Sequence, residues 1–206
     1  MENKNIIICV GRQLGSGGRE IARRLAAKFE AKFYDRELLN LAAKESGFSE
    51  KMFEKNDEQK GFFKTLFGVQ TAHLSGGLYR SNISQDSLFQ FQSDAIRKAA
   101  QEGNCVFVGR CADYVLRDIP NVINIFVTAD IDWRAQHVMK RHECSKKEAL
   151  KIIHHEESNR SSYYNYYTGK RWGDSSSYDI CINTCLLGLD ETAEYLADII
   201  RKIFNK

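Results

Sequence analysis

The residues with the most chemical content lie at the start of the chain. The stretch GRQLGSGGREIARRL begins at Gly11, directly after the apolar run Ile6-Ile7-Ile8-Cys9-Val10. Set on the frame G-x-x-x-x-G-K-[ST], it puts Arg12 at the first glycine, Gly17 at the second, Gly18 at the lysine and Arg19 at the Ser/Thr. Only Gly17 satisfies its position. What survives is a backbone cradle: Gly15, Gly17 and Gly18 permit positive φ, so amides from Gly15 through Ser16 to Arg19 can converge on an anion. The helix that follows adds free N–H groups and the positive end of its dipole.

A loop without its lysine needs another cation to meet charge on a transferred phosphoryl group. Arg19 is the first candidate and Arg12, at the mouth of the loop, the second; a guanidinium grips phosphate with two bonds. The missing hydroxyl leaves Glu20 or Asp35 as candidates for magnesium, with a nucleotide's phosphates supplying most of the coordination. Two other readings stay open. In a G-x-G-x-x-G frame Asp35 would meet a ribose, although Glu20 stands where the third glycine belongs. The glycines could also serve only a tight turn.

More basic residues fall where strands end. Asp35 and Arg36 follow KFY, Arg110 follows VFVG, and Arg134 lies just beyond Thr128-Ala129-Asp130. Arg141, Arg160, Lys170 and Arg171 come later. Singly, such residues are ordinary surface charges. Jointly, around one glycine loop, they suit two sets of phosphates. Tyr163, Tyr164, Tyr166 and Tyr167 either stack on a base or pack the segment that carries them. His142, Cys144, His154 and His155 read as a solvated helix face rather than a metal cluster, because their spacing misses the usual ligand pattern.

These residues must be positioned by elements, and the pattern of elements is plain. Apolar runs at 6–10, 32–35, 104–109, 122–128 and 178–184 alternate with helical stretches. Runs of nearly continuous Ile and Val mark strands buried on both faces of a parallel sheet, and the alternation predicts a doubly wound α/β fold. Two segments break it. Residues 50–83 read as an insert on the substrate side, and 142–175 as a lid whose helix opens at Ser145-Lys-Lys-Glu148 with capping-box spacing. Cys9, Cys105 and Cys181 sit inside apolar runs as small hydrophobes.

The length of 206 residues suits one domain, and the net charge of +3 is too mild to point to nucleic acid. No run approaches a membrane span, and MENKN is no signal peptide, so a cytoplasmic protein is expected.

GRQLGSGGREIARRLAAKF, FYDRELL, CVFVGRCADYVL, INIFVTADIDWR and YYTGKRWGDSSSYDICINT, taken in order, resemble the cytidylate kinase-like family across nearly the whole chain. The resemblance implies a P-loop NTPase fold of the nucleoside monophosphate kinase type: a single domain with a five-stranded parallel core, a monophosphate-binding insert and a lid. It implies transfer of the γ-phosphate of ATP to CMP, dCMP or a similar acceptor, with Mg2+; small nucleotides are the expected partners, with no nucleic acid and no membrane. Residue by residue, it places Gly15 to Arg19 on the donor's phosphates, Asp35 and Arg36 facing the acceptor, Arg110 on the acceptor phosphate, and Arg134 and Arg160 approaching as the lid closes. Loss of the lysine leaves a second function in view, a nucleotide-binding regulatory protein with weak or no transfer.

Overall fold

The computed structural model describes residues 5–35 and 85–204. In chain order the elements are β1 (Ile7–Arg12), α1 (Gly18–Lys28), β2 (Lys32–Tyr34), α2 (Gln85–Glu102), β3 (Cys105–Val108) and α3 (Ala112–Val115). Then come β4 (Val122–Thr128), α4 (Ile131–His142), α5 (Lys146–Thr168), β5 (Ile180–Asn183) and α6 (Gly188–Phe204). The expected helix after Asp35 and the insert at 50–83 lie outside the described residues, as does Arg36.

The five strands form one parallel sheet in the order β2-β3-β1-β4-β5. Successive side chains of a strand point to opposite faces, and here both faces are covered. Ile8 and Val10 of β1, with Val106, Val108, Ile123, Ile125 and Val127, pack with Ile21 and Leu25 of α1 and Leu196 and Ile200 of α6. Ile7 and Cys9, with Cys105 and Phe107, pack with Ile96 and Ala99 of α2 and Leu116 beyond α3. Each fully buried Ile or Leu contributes about 1.5–3 kcal/mol. This double burial explains why the strands read as unbroken apolar runs. It also holds β1 rigidly at the centre, with its carboxyl end opening between β3 and β4.

Two details depart from the sequence reading, and a third extends it. Cys181 is exposed, because β5 is an edge strand and is not enclosed like Cys9 and Cys105. The helix expected over RCADYVLR contracts to Ala112–Val115, since Gly109, Arg110 and Cys111 all take positive φ (73°, 59° and 57°). The helix opened by Ser145 is long: α5 runs unbroken through Tyr163–Tyr167 and ends at Gly169 in the left-handed conformation.

The capping box at the start of α5 is formed. Glu148 N donates to Ser145 Oγ (3.4 Å), and Ser145 N donates to Glu148 Oε2 (2.9 Å). Ser145→Ala should therefore cost about 1 kcal/mol in urea denaturation. An unchanged midpoint would show that the box does not hold α5 in place.

Candidate active site

The loop between β1 and α1 is shaped by glycine and braced from three sides. Gly15 and Gly17 have φ of 82° and 79°, and Gly17 is the N-cap of α1. A β-carbon at Gly15 would also lie 2.6 Å from the carbonyl oxygen of Arg134, so α4 packs backbone to backbone on the loop. From β4, Thr128 Oγ1 donates to Gln13 Oε1, while Gln13 N donates to Val127 O (3.0 Å). From the end of β5, the buried Thr184 donates Oγ1 to Ser16 O (2.9 Å). From α5, Glu157 Oε1 accepts both Leu14 N (3.2 Å) and Arg134 Nη1. The loop amides are thus set before any ligand arrives, which lowers the ordering cost of binding.

Arg19 is not free beside this cradle. Its Nε donates to Asp35 Oδ2 at 3.0 Å and its Nη2 bonds the same oxygen, joining the first turn of α1 to the carboxyl end of β2. Glu20 turns outward to Arg24 Nε (3.1 Å), and Arg24 also pairs with Asp190. Glu20 is therefore committed to the α1–α6 side. Arg134 is buried against the loop in its pair with Glu157 and does not line the cleft described next.

Three other arginines do converge. A cleft of about 730 Å³ opens over the carboxyl ends of β1 and β3 and is walled by α5. Arg12, Arg110 and Arg160 all line it. Arg160 Nη1 donates to the backbone oxygen of Arg12 (3.1 Å), tying α5 to the end of β1. Burial, then the charges of Arg160 and Arg110, push the Arg12 guanidinium down to about 9, with Asp35 opposing. It stays charged at neutral pH but sits among like charges, an environment that favours a bound anion. Arg160 is lowered as well, chiefly by burial, with Glu156 and Glu157 opposing.

Arg110 is aimed by its backbone. Left-handed φ at consecutive non-glycine residues is strained by about 1–3 kcal/mol each. That strain falls at Arg110 and Cys111, where β3 turns into the cleft. The Arg110 guanidinium lies 5.2 Å from the ring centroid of Tyr163, whose hydroxyl donates to Gln92 Oε1 (3.1 Å). Burial pushes the Tyr163 phenol up to about 12, so it remains a neutral donor.

Tyr164 is buried and donates to Asp113 Oδ2 (2.7 Å); burial raises the Asp113 carboxyl, with that hydrogen bond opposing. Tyr167 stacks on Phe89 with centroids 4.0 Å apart, whereas Tyr166 is 73% exposed. All four tyrosines thus make ring or hydrogen-bond contacts, Tyr166 edge-on to Tyr167 with centroids 4.9 Å apart, and all four line the cleft. Asp113 and Gln92 were not singled out in the sequence, and no local motif marks either of them.

Residues 7–185 match the profile of the cytidylate kinase-like family. The chain belongs to that family. A cytidylate kinase of Pyrococcus horikoshii is 30% identical over 186 residues, 89% of this chain and 82% of that protein. One of Methanopyrus kandleri is 24% identical over 98% and 96% of the two chains. Among solved structures, an uncharacterized protein from Eubacterium ventriosum superposes with a TM-score of 0.72 at 29% identity, covering 95% of this chain and 98% of the other. Shikimate kinase from Bacteroides thetaiotaomicron (TM-score 0.54, 13% identity, 98% and 99% coverage) shares the fold. Family membership and fold together make this a kinase-type P-loop chain, and among the described residues no helix is long and apolar enough to cross a membrane.

The Arg134–Glu157 pair is nearly enclosed, with side chains 8% and 20% exposed. Removing one partner of a buried pair leaves the other charge uncompensated, at about 3–5 kcal/mol. Glu157→Ala should fall in that range in urea denaturation, while Glu156→Ala should change little. Equal and small effects would mean that Glu157 does not brace the loop.

Proposed function

We propose that the chain is an ATP-dependent phosphotransferase of cytidylate kinase type, moving the γ-phosphoryl group of ATP to CMP, dCMP or a similar small acceptor. The observation that carries this reading is the convergence of Arg12, Arg110 and Arg160 on one cleft beside the glycine loop. Such a site suits two phosphate groups held face to face. The loop amides and the N-terminus of α1 receive the donor's phosphates. Arg110, at the end of β3, takes the acceptor's phosphate. Arg160, on the lid helix, closes over both.

An oxygen of the acceptor phosphate attacks the γ-phosphorus in line. The bond from that phosphorus to the β–γ bridging oxygen breaks, and ADP leaves with the electron pair. The attacking oxygen is already ionised, so the step asks the protein for orientation, charge stabilisation and exclusion of water rather than for a general base. Magnesium bound with ATP would shield the phosphate charges. Glu20, paired with Arg24, and Asp35, paired with Arg19, are both committed to arginines, so neither fits as a ready protein-side partner for it.

A second reading, nucleotide binding without transfer, draws on one observation: the Arg19 guanidinium is tied to Asp35. The two readings separate in a coupled assay of ADP release with Mg2+ across CMP, dCMP, UMP, AMP and small alcohols. Acceptor-dependent ADP formation is expected, with Arg110→Ala losing about 100-fold in kcat/KM, the scale of one lost charge-stabilising group. ATP binding with no turnover on any acceptor would leave only the regulatory reading.

A further inference from the structure

The glycine at position 18 has no conformational reason to be glycine. It is the first residue of α1, and its φ is not positive. In a helix, glycine is a poor choice unless something approaches closely. Something does: a β-carbon at Gly18 would lie 2.5 Å from Arg12 Cβ, 3.2 Å from Arg12 Cγ and 3.2 Å from Val127 Cβ. The atoms in the way are the root of the arginine, fixed to strand β1, and cannot swing aside like a side-chain tip. At the other end of the same side chain, a β-carbon at Gly109 would collide with Arg12 Nη1. Arg12 therefore runs from β1 across the first turn of α1 to the end of β3, between two glycines that leave it room.

From this geometry we infer that Arg12 does the work of the absent loop lysine, delivering the phosphate-binding cation from the strand side of the loop, and that Gly18 is the space this delivery requires. The inference rests on the phosphotransferase reading for its catalytic part. Its binding part needs only that the loop holds a polyphosphate. Arg19 does not fill the role, because its guanidinium is held by Asp35. Arg12 lines the cleft with Arg110 and Arg160: its carbonyl accepts from Arg160, and its Nη1 end lies against Gly109 at the end of β3. During transfer its N–H groups would bond oxygens of the β- and γ-phosphates as charge shifts to the leaving ADP. No bond to the protein forms or breaks.

The two positions should be interchangeable only as a pair. Arg12→Ala, Gly18→Lys and the double variant Arg12→Gly/Gly18→Lys are compared with the wild type in two ways: calorimetric affinity for ATP and for inorganic tripolyphosphate, and rate of acceptor-dependent ADP formation. The expected pattern is at least tenfold weaker tripolyphosphate binding and at least 100-fold slower transfer for Arg12→Ala. The double variant should regain at least tenfold of the rate lost in Arg12→Ala, because glycine at 12 removes both the Cβ and the Cγ that a side chain at 18 would meet. Gly18→Lys alone should melt below the wild type.

A folded Arg12→Ala protein within threefold of the wild type in affinity and rate would overturn the inference. So would a folded double variant no better than Arg12→Ala. Should Arg12→Ala not fold, Arg12→Gln keeps the stem, removes the charge and is judged by the same limits. Wild-type protein that binds tripolyphosphate but transfers to no acceptor removes the phosphotransferase reading, and Arg12 is then judged on affinity. Wild-type protein that binds neither ATP nor tripolyphosphate removes both.

Discussion

The stem of Arg12 and a side chain at position 18 cannot occupy the same space. The site depends on that exclusion. A lysine carried on the first turn of a helix is positioned by the helix; an arginine carried on the last residue of a central strand is positioned by the sheet. β1 is hydrogen-bonded on both sides, to β3 and to β4, and packed on both faces. A cation rooted there starts from one of the most rigid points of the fold. Its cost is a glycine at the start of α1 and another at the end of β3.

The surrounding structure is arranged to make that position usable. Bonds from β4, β5 and α5 fix the loop's course at Gln13, Ser16 and Leu14. The consecutive left-handed residues after β3 turn Arg110 toward the same cleft. Arg160 reaches the carbonyl of Arg12 from α5, so that helix and the end of β1 are in contact. Like charges brought together in this way are unfavourable in the empty protein and become favourable when phosphates enter. The candidate site and the strained residues Arg110 and Cys111 thus fall together.

Much of the fold was legible in the residues. The runs at 6–10 and 122–128 became β1 and β4 because strands buried on both faces have no polar side to interrupt them. Ser145 and Glu148 announced α5 through a local bond, and local bonds can be read from spacing. Cys181 misled because its neighbours Ile180 and Ile182 look the same in an edge strand as in a central one. The sequence left the tyrosines of α5 open between stacking and packing because their partners, Phe89, Gln92 and Asp113, lie 50 residues or more away in sequence. The choice between Arg19 and Arg12 was not legible for a similar reason. Only the packed structure shows that Asp35 holds the first and that Gly18 and Gly109 make room for the second.

The most direct measurement is a crystal structure of the protein with magnesium and a non-hydrolysable ATP analogue. The account predicts the Arg12 guanidinium within hydrogen-bonding distance of β- or γ-phosphate oxygens, its stem still crossing Gly18, and Arg19 still bonded to Asp35. A bound analogue whose phosphates are met by Arg19, with Arg12 turned away from them, would contradict it.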